Sequence, residues 1–71
     1  MKNVENVMMD VSGKFWTRRN ELIDYLERLD YEVVEVGNDH VVVVDLRDDD
    51  ETEYTLNIAY ANRTMWIESV Q

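Results

Sequence analysis

The chain contains no cysteine and no proline, and glycine occurs only at positions 13 and 37. Without cysteine, neither a disulfide nor a thiolate metal site can stabilise the fold. The scarcity of glycine and proline argues against flexible linkers and low-complexity segments. No apolar run is long enough for a membrane-spanning helix, and the N-terminal segment contains acids that a signal peptide lacks. We therefore expect a cytoplasmic protein that makes no membrane contact.

The size and apolar content of the chain predict one small domain. Its 71 residues are near the lower limit for independent folding, so we expect residues 1–71 to form a single unit. An apolar fraction of 45%, with two tryptophans and four tyrosines, can form a compact core. Disorder is therefore not expected, despite the high charge.

Residues that carry catalysis are scarce. The one histidine, His40, follows Asp39 at a predicted turn, and there are only two serines. An aspartate can orient a histidine as a base, but a histidine at a turn more commonly faces water. The two glycines are isolated from each other, so no phosphate-binding loop is predicted. We expect neither enzymatic activity nor a cofactor.

The acidic segment LRDDDETE, residues 46–53, is the candidate for a metal site. A calcium loop of the EF-hand type follows the pattern D-x-[DN]-x-[DN]-G and ends on a glutamate. Asp48 and Asp50 have the required spacing, but Thr52 stands at the third ligand position and the glycine is missing. The segment therefore predicts no dedicated metal site.

Basic residues are few, and the charge is unevenly distributed. Sixteen acids against seven lysines and arginines give a net charge of −9. Residues 21–53 hold thirteen acids against Arg28 and Arg47, a net of −11, whereas residues 1–20 carry +2. Such a surface repels phosphate backbones, so direct binding to nucleic acid is not expected.

Apolar periodicity predicts a helix over residues 14–29. Its apolar residues recur at helical spacing at Phe15, Leu22, Leu26 and Leu29. Ser12 or Thr17 would cap its start. Arg18 and Arg19 fall near its N-terminus, where the helix dipole disfavours cations. We therefore expect them to bind a partner or an acidic residue elsewhere in the chain.

Residues 3–11 fit two patterns. Val4, Val7, Met8 and Val11 match a helical stripe, whereas Val7, Met9 and Val11 alternate as they would in a strand. We favour a short helix.

Four strands are predicted from Tyr31 onward, because this region is rich in β-branched and aromatic residues. The runs are 31–36 (YEVVEV), 40–47 (HVVVVDLR), 52–61 (TEYTLNIAYA) and 64–70 (TMWIESV). The connections between them are short, which permits hairpins and excludes parallel crossovers. The predicted fold is α+β, with N-terminal helical segments packed on a four-stranded antiparallel β-meander.

Side-chain alternation predicts which face of the sheet is buried. The run 52–61 has a clear apolar face, formed by Tyr54, Leu56, Ile58 and Tyr60. The run 40–47 places Val42, Val44 and Leu46 on one face and Val41 and Val43 on the other. This arrangement predicts a central strand that is partly covered on both faces.

The position of Trp66 depends on which face of the last strand is covered. If Met65 and Ile67 face the helix, Trp66 stands on the outer face near Val41 and Val43, next to acids, where it could anchor an interface. If Trp66 is in the core, Met65 is exposed instead. The sequence leaves both alternatives open.

The acids of residues 21–53 form the candidate functional surface. On the predicted helix they recur every three residues, at Glu21, Asp24, Glu27 and Asp30. A rigid array of carboxylates resembles a phosphate backbone electrostatically and is attracted to basic grooves. The candidate partner-binding residues are Asp45, Asp48, Asp49, Asp50, Glu51, Glu53, Glu27, Asp30, Glu35 and Trp66.

Two functional hypotheses follow from this surface. In the first, the chain is a non-enzymatic protein-binding module or inhibitor whose acids engage a basic site on a nucleic-acid-handling enzyme. In the second, it is a structural module that forms a homodimer through the valines of run 40–47 and Trp66. The acids would then serve only solubility or adaptation to high salt.

In charge and size, a small cysteine-free acidic α+β protein resembles the phage-encoded inhibitors that occupy nucleic-acid sites of host enzymes. Anti-CRISPR proteins and uracil-glycosylase inhibitors belong to this class. The resemblance implies an anti-defence function and a basic enzyme as partner. It covers charge and size alone, so it assigns no role to an individual residue.

Overall fold

In the computed structural model, which describes residues 2–71, two helices precede a four-stranded sheet. The elements are α1 (Val4–Val11), α2 (Arg19–Arg28), β1 (Tyr31–Val36), β2 (His40–Asp45), β3 (Glu53–Ala61) and β4 (Thr64–Val70). Each strand pairs antiparallel with the next, in the order β1-β2-β3-β4. The predicted α+β fold with an antiparallel meander is confirmed.

The first segment adopts the helical alternative. The side chain of Asn3 caps α1 by accepting a hydrogen bond from the Asn6 N–H at 3.3 Å. Val7 and Val11 are buried, whereas Met9 is 75% exposed. A strand would have placed these three residues on one face, so their separation follows from the helical period.

The second helix is shorter than predicted. It begins at Arg19, and Arg18 occupies the N-cap position in an extended conformation without a side-chain capping bond. The prediction that Ser12 or Thr17 caps this helix was therefore wrong. Leu22 and Leu26 form its buried face, as their spacing predicted.

Phe15 and Trp16 precede α2 because their backbone pairs with the sheet. Trp16 and Met65 exchange two backbone hydrogen bonds, of 2.9 and 2.7 Å, in an isolated antiparallel bridge. Trp16 is buried, and Phe15 is 65% exposed, so the predicted place of Phe15 on the buried helix face was wrong. Alternation along an extended segment sends neighbouring side chains to opposite faces.

The core lies between the helices and one face of the sheet, which we call the helix-covered face. It consists of Val7, Val11, Trp16, Leu22, Leu26, Tyr31, Val41, Val43, Tyr54, Leu56, Ile58, Met65 and Ile67. Burying each of the larger of these side chains contributes about 1.5–3 kcal/mol to stability. This cluster fixes the strand register, because a shift of one residue would expose the apolar set of a strand.

The opposite side of the sheet, the outer face, carries the other residues of each strand. Val41 and Val43 pair with core residues of β3 and face the helices, so Val42 and Val44 point outward. The second strand thus has apolar residues on both faces, as predicted. It ends at Asp45, and Leu46, which was predicted to continue it, is exposed.

The structure settles the position of Trp66. Met65 and Ile67 are buried in the core, and Trp66 lies half-buried on the outer face opposite Ala59. Its predicted neighbourhood was wrong, because Val41 and Val43 are on the helix-covered face. A register shift in the β3–β4 pairing leaves Glu68 without a Cα partner, between Ile67 and Ser69.

Candidate functional site

The strands place their connections at two opposite ends of the sheet. The first, which we call the turn end, contains the β2–β3 connection (residues 46–52), the start of β1 and the end of α2. The Leu46 N–H donates to the Asp30 carbonyl at 2.9 Å, which joins the connection to the end of α2. The second, the hairpin end, contains residues 37–39 and 62–63.

The turn end brings together eight of the ten candidate residues. They are Glu27, Asp30, Asp45, Asp48, Asp49, Asp50, Glu51 and Glu53. Glu35 and Trp66 lie elsewhere on the sheet, towards the hairpin end. The meander accounts for this division, because alternate connections of antiparallel strands fall at opposite ends.

An arginine at the turn end binds two of the carboxylates. Arg47 Nε donates to Asp45 Oδ1 at 2.9 Å, and Arg47 Nη2 donates to Asp10 Oδ2 at 2.8 Å. The Tyr31 hydroxyl donates to the same Asp10 oxygen at 2.6 Å, and the guanidinium lies 4.9 Å from the Tyr31 ring centroid. Asp45 therefore has a partner within the chain, and its side chain is only 15% exposed.

The pKa shifts within this network favour a charged Asp10 and Arg47 and a neutral Tyr31 at neutral pH. Burial raises the pKa of Tyr31, and its hydrogen bond to Asp10 raises that pKa further. Burial also raises the pKa of Asp10, but hydrogen bonds from Tyr31 and Arg47 outweigh it and leave the pKa lowered. Hydrogen bonds to Asp45 and Asp10 raise the pKa of Arg47. The network is thus a charged clamp that joins α1, β1 and the β2–β3 connection.

Aspartates also shape the connection itself. Asp48 Oδ1 accepts a hydrogen bond from the Asp50 N–H at 3.1 Å, and the Asp48 N–H donates to the Asp45 carbonyl at 3.1 Å. Glu51 has a positive φ of 53°, a conformation in which glycine or asparagine is more common. Asp45 Oδ1 also accepts a hydrogen bond from the Arg47 N–H at 2.9 Å, so turn geometry accounts for Asp45 and Asp48, whereas Asp49, Glu51 and Glu53 are exposed acids.

An open cleft of about 660 Å³ lies between α1 and the β2–β3 connection. Its lining is mostly polar, and half of it is acidic, with Asn3, Asn6, Met9, Asp10, Asp45, Arg47, Asp48, Asp49, Asp50 and Tyr54. Within residues 2–71, no three histidine or acidic side chains are grouped so that they could hold a metal ion. The cleft is lined by five aspartates and one arginine, so the charge around it is negative.

The hairpin end is organised by a different arginine. Arg19 donates to the carbonyls of Gly37 and Asn38, at 2.6 and 2.8 Å, and to the hydroxyl of Tyr60. Its contacts within the chain are therefore turn carbonyls and a phenol, and not the acid that its place in the sequence suggested. The role of Arg19 depends on contacts 18 to 41 residues away along the chain, which no local pattern predicts.

Glu35 is paired with the histidine at this end. His40 Nε2 lies 2.8 Å from Glu35 Oε2, and its Nδ1 lies 3.4 Å from Asp39 Oδ1. Hydrogen bonding to Glu35 and then to Asp39 raises the pKa of His40. A Cβ atom at Gly37 would lie 2.2 Å from the imidazole, so a larger residue there would displace the His40 ring from this position.

The outer face carries an aromatic pair. The rings of Phe15 and Trp66 meet edge to face, with centroids 6.1 Å apart and an interplanar angle of 65°. Val44, which is 8% exposed, lies on this face outside the core cluster. Sequence reasoning identified Trp66 as a candidate but missed Phe15, because Phe15 was assigned to a helix.

Comparisons of the chain with models of protein families, with characterised proteins and with solved structures found no significant match. In the described part of the chain, neither helix is long and apolar enough to cross a membrane. The function is therefore inferred from the surface of the protein itself.

Proposed function

We propose that this protein is a non-enzymatic protein-binding module whose turn end engages a basic surface on another protein. The observation that carries the proposal is the gathering of the candidate acids at one end of a compact fold. At this end, Arg47 forms ion pairs with Asp10 and Asp45, whose side chains are partly buried. Asp49, Glu51 and Glu53 are exposed on the outside.

The partner that fits this surface best is a nucleic-acid-handling enzyme. The basic sites of such enzymes are built to attract rows of negative charge, and a folded array of carboxylates presents charge of the same sign. Binding of this kind would block the site, so the protein would act as an inhibitor. Its small size and charge suit the phage-encoded, anti-defence class of inhibitors.

A charge-neutralised variant tests the proposal. We expect Asp49→Asn/Glu51→Gln/Glu53→Gln to bind a target from a panel of purified nucleases, glycosylases and polymerases at least about tenfold more slowly than the parent. The loss should fall mainly on the association rate and should shrink as salt is raised. Surface plasmon resonance at two ionic strengths measures both quantities.

The matched control removes the same charge elsewhere. Glu5, Glu21 and Glu68 are exposed and lie outside the 46–53 segment, so Glu5→Gln/Glu21→Gln/Glu68→Gln changes the net charge equally. If both triple variants bind equally slowly, net charge and not the turn end drives association. If neither variant changes binding, the proposed electrostatic mechanism is wrong.

A second candidate function would use the apolar residues of the outer face. Neither helix covers this face, and it carries Val42, Val44 and Trp66. A homodimer formed through it would make the protein a structural or oligomeric module, with the acids serving solubility or tolerance of high salt. Light scattering separates the two candidates, because this dimer would persist at high salt and be lost on Trp66→Thr.

A further inference from the structure

We propose that the outer face of the sheet docks an extended, arginine-bearing segment of a basic partner. One arginine stacks on the Phe15–Trp66 pair, and a second basic residue reaches Glu32 and Glu53 at the other end of the face. The inference deepens the proposed function and rests on it, since it names the surface and the chemistry that the basic partner would use. Three features of the outer face support it.

The first feature is an apolar strip that the fold leaves uncovered. Both helices pack on the opposite side of the sheet, through the buried residues of α1 and α2. Val42 and Trp66 are half-buried on the outer face and do not pack against the core. With Thr55 and Ala59 on β3, they line a shallow strip that ends at the large indole ring and is interrupted by Asn57, whose amide donates to the Ser69 hydroxyl at 3.0 Å.

The second feature is a pair of acids at the far end of this strip. In the strand register, Glu32 and Glu53 flank Val44 from its two neighbouring strands, so their Cα atoms lie about 10 Å apart. Within residues 2–71, neither carboxylate takes part in a side-chain hydrogen bond or an ion pair. A lysine or arginine placed over Val44 could contact both carboxylates.

The third feature is the aromatic pair at the opposite end of the strip, in which Phe15 is exposed and Trp66 is half-buried. Phe15 is 65% exposed and holds the indole of Trp66 by an edge-to-face contact. A guanidinium stacks on an indole face with favourable cation–π attraction, and arginine does this more often than lysine. Glu35 lies on the same face but is engaged with His40, so it contributes less to the charge that a partner meets.

The distance between the two ends sets the length of the docked segment. Ala59, which pairs with Trp66, and Glu53 are six residues apart along β3, or about 20 Å. An extended chain advances by a similar amount per residue, so the two basic residues should stand about six positions apart. Small or β-branched residues between them would fit over Val42 and Thr55.

A second copy of the chain is a poor occupant of this face. Two copies that met through it would bring Glu32, Glu35 and Glu53 of both chains into one interface. Each chain also carries a net charge of −9. Like charges facing each other across an interface are unfavourable, whereas a basic segment complements them.

Short peptides and NMR test the proposal on the full chain. The probe is a capped peptide with two arginines about six positions apart and a Gly/Thr/Val spacer. Its controls are the same peptide with two lysines, and one of the same composition with the two arginines adjacent. Each is titrated into ¹⁵N-labelled protein at low ionic strength. The Trp16 indole, buried in the core, serves as an internal reference for the Trp66 indole.

We expect the spaced arginine peptide to shift the Trp66 indole signal and the amides of Val42, Thr55 and Glu53, while the Trp16 indole stays unchanged. It should bind about 3- to 30-fold more tightly than the lysine peptide, and more tightly than the adjacent-arginine peptide. Trp66→Thr should remove the preference for arginine. Leu46→Thr, at an exposed apolar residue of the turn end, should retain it.

Four outcomes would overturn the proposal. One outcome is that chemical-shift changes are confined to the amides of residues 46–52 and that the arginine and lysine peptides bind equally well. This result would leave the proposed function intact but would show that the outer face is not the docking surface. If the Trp66→Thr variant still binds the arginine peptide more tightly than the lysine peptide, the outer face is likewise excluded as the docking surface. Shifts of the outer-face amides on raising the protein concentration without peptide would identify a second copy as occupant. No shift with any peptide would count against both this proposal and the proposed function.

Discussion

Each end of the sheet is organised around one arginine, but the two arginines meet partners of different charge. At the turn end, Arg47 binds two half-buried carboxylates and a tyrosine hydroxyl. At the hairpin end, Arg19 binds two turn carbonyls and a tyrosine hydroxyl. The charge of these partners determines which groups lose their hydrogen bonds when the arginine is replaced. Carboxylates without a counter-charge repel each other, whereas turn carbonyls can return to water.

Arg47→Met should give the largest loss of stability. It leaves Asp10 and Asp45 partly buried without a counter-charge, so we expect the free energy of unfolding to fall by about 2–3 kcal/mol. Urea denaturation followed by circular dichroism measures the loss. Because the side chain of Arg47 is 44% exposed, water offsets part of the cost of a fully buried pair.

A double-variant cycle shows whether charge causes this loss. Asp10→Asn in the Arg47→Met background should recover part of the lost stability, since it removes one of the uncompensated carboxylates. If the two substitutions instead lower the free energy of unfolding additively, with no recovery in the double variant, Arg47 contributes mainly through packing on Tyr31.

Arg19→Met should cost less, about 1–2 kcal/mol, because neutral acceptors are left behind. The loss should be local, so hydrogen exchange of the amides at 37–40 should accelerate more than exchange in the core strands. Arg18→Met is the matched control, because Arg18 is exposed at the N-cap of α2 and its side chain makes no capping bond. Equal effects of the two substitutions would argue against the assigned role of Arg19.

The strands could be predicted from the sequence because their signals are local. The first and last strands have the predicted bounds, 31–36 and 64–70, since they are rich in β-branched and aromatic residues and short polar turns adjoin them. Residue alternation also placed Leu56 and Ile58 in the core. These predictions needed only the period of a strand and the chemistry of turns.

The start of α2 could not be predicted in this way. Phe15 fits the helical stripe of Leu22 and Leu26, but the backbone of the next residue, Trp16, pairs with Met65 near the other end of the chain. A local pattern carries no information about such a partner, so tertiary pairing overrode the helical period.

The Arg47 network was missed for the same reason. Its contacts with Asp10 and Tyr31 join residues 37 and 16 positions apart. The signal that could have pointed to it is Arg47 itself, an isolated base within a strongly acidic block. A lone cation in such a block is well placed to compensate carboxylates that the fold buries.

The contributions of the two ends to folding stability should also change with pH in opposite directions. We expect this effect to be the smallest. At the hairpin end, the pKa of His40 is raised by Glu35 and then by Asp39. Its contribution to stability is therefore fully present below the unfolded pKa of about 6.5 and is lost as pH rises through the folded pKa. At the turn end, the pKa of Asp10 is lowered, so its contribution is present above about 3.8 and is lost as pH falls.

His40→Gln isolates the hairpin-end contribution, because glutamine does not titrate. We expect the parent to be more stable than the variant at pH 5, and the difference to shrink as pH is raised to 9, as measured by urea denaturation along the series. Asp10→Asn should show the reverse trend, with a difference that shrinks as pH is lowered from 6 to 3. If the difference in unfolding free energy between the parent and His40→Gln stays constant with pH, the carboxylates around His40 do not stabilise its charged form. The predicted contrast in pH dependence between the two ends would then be wrong.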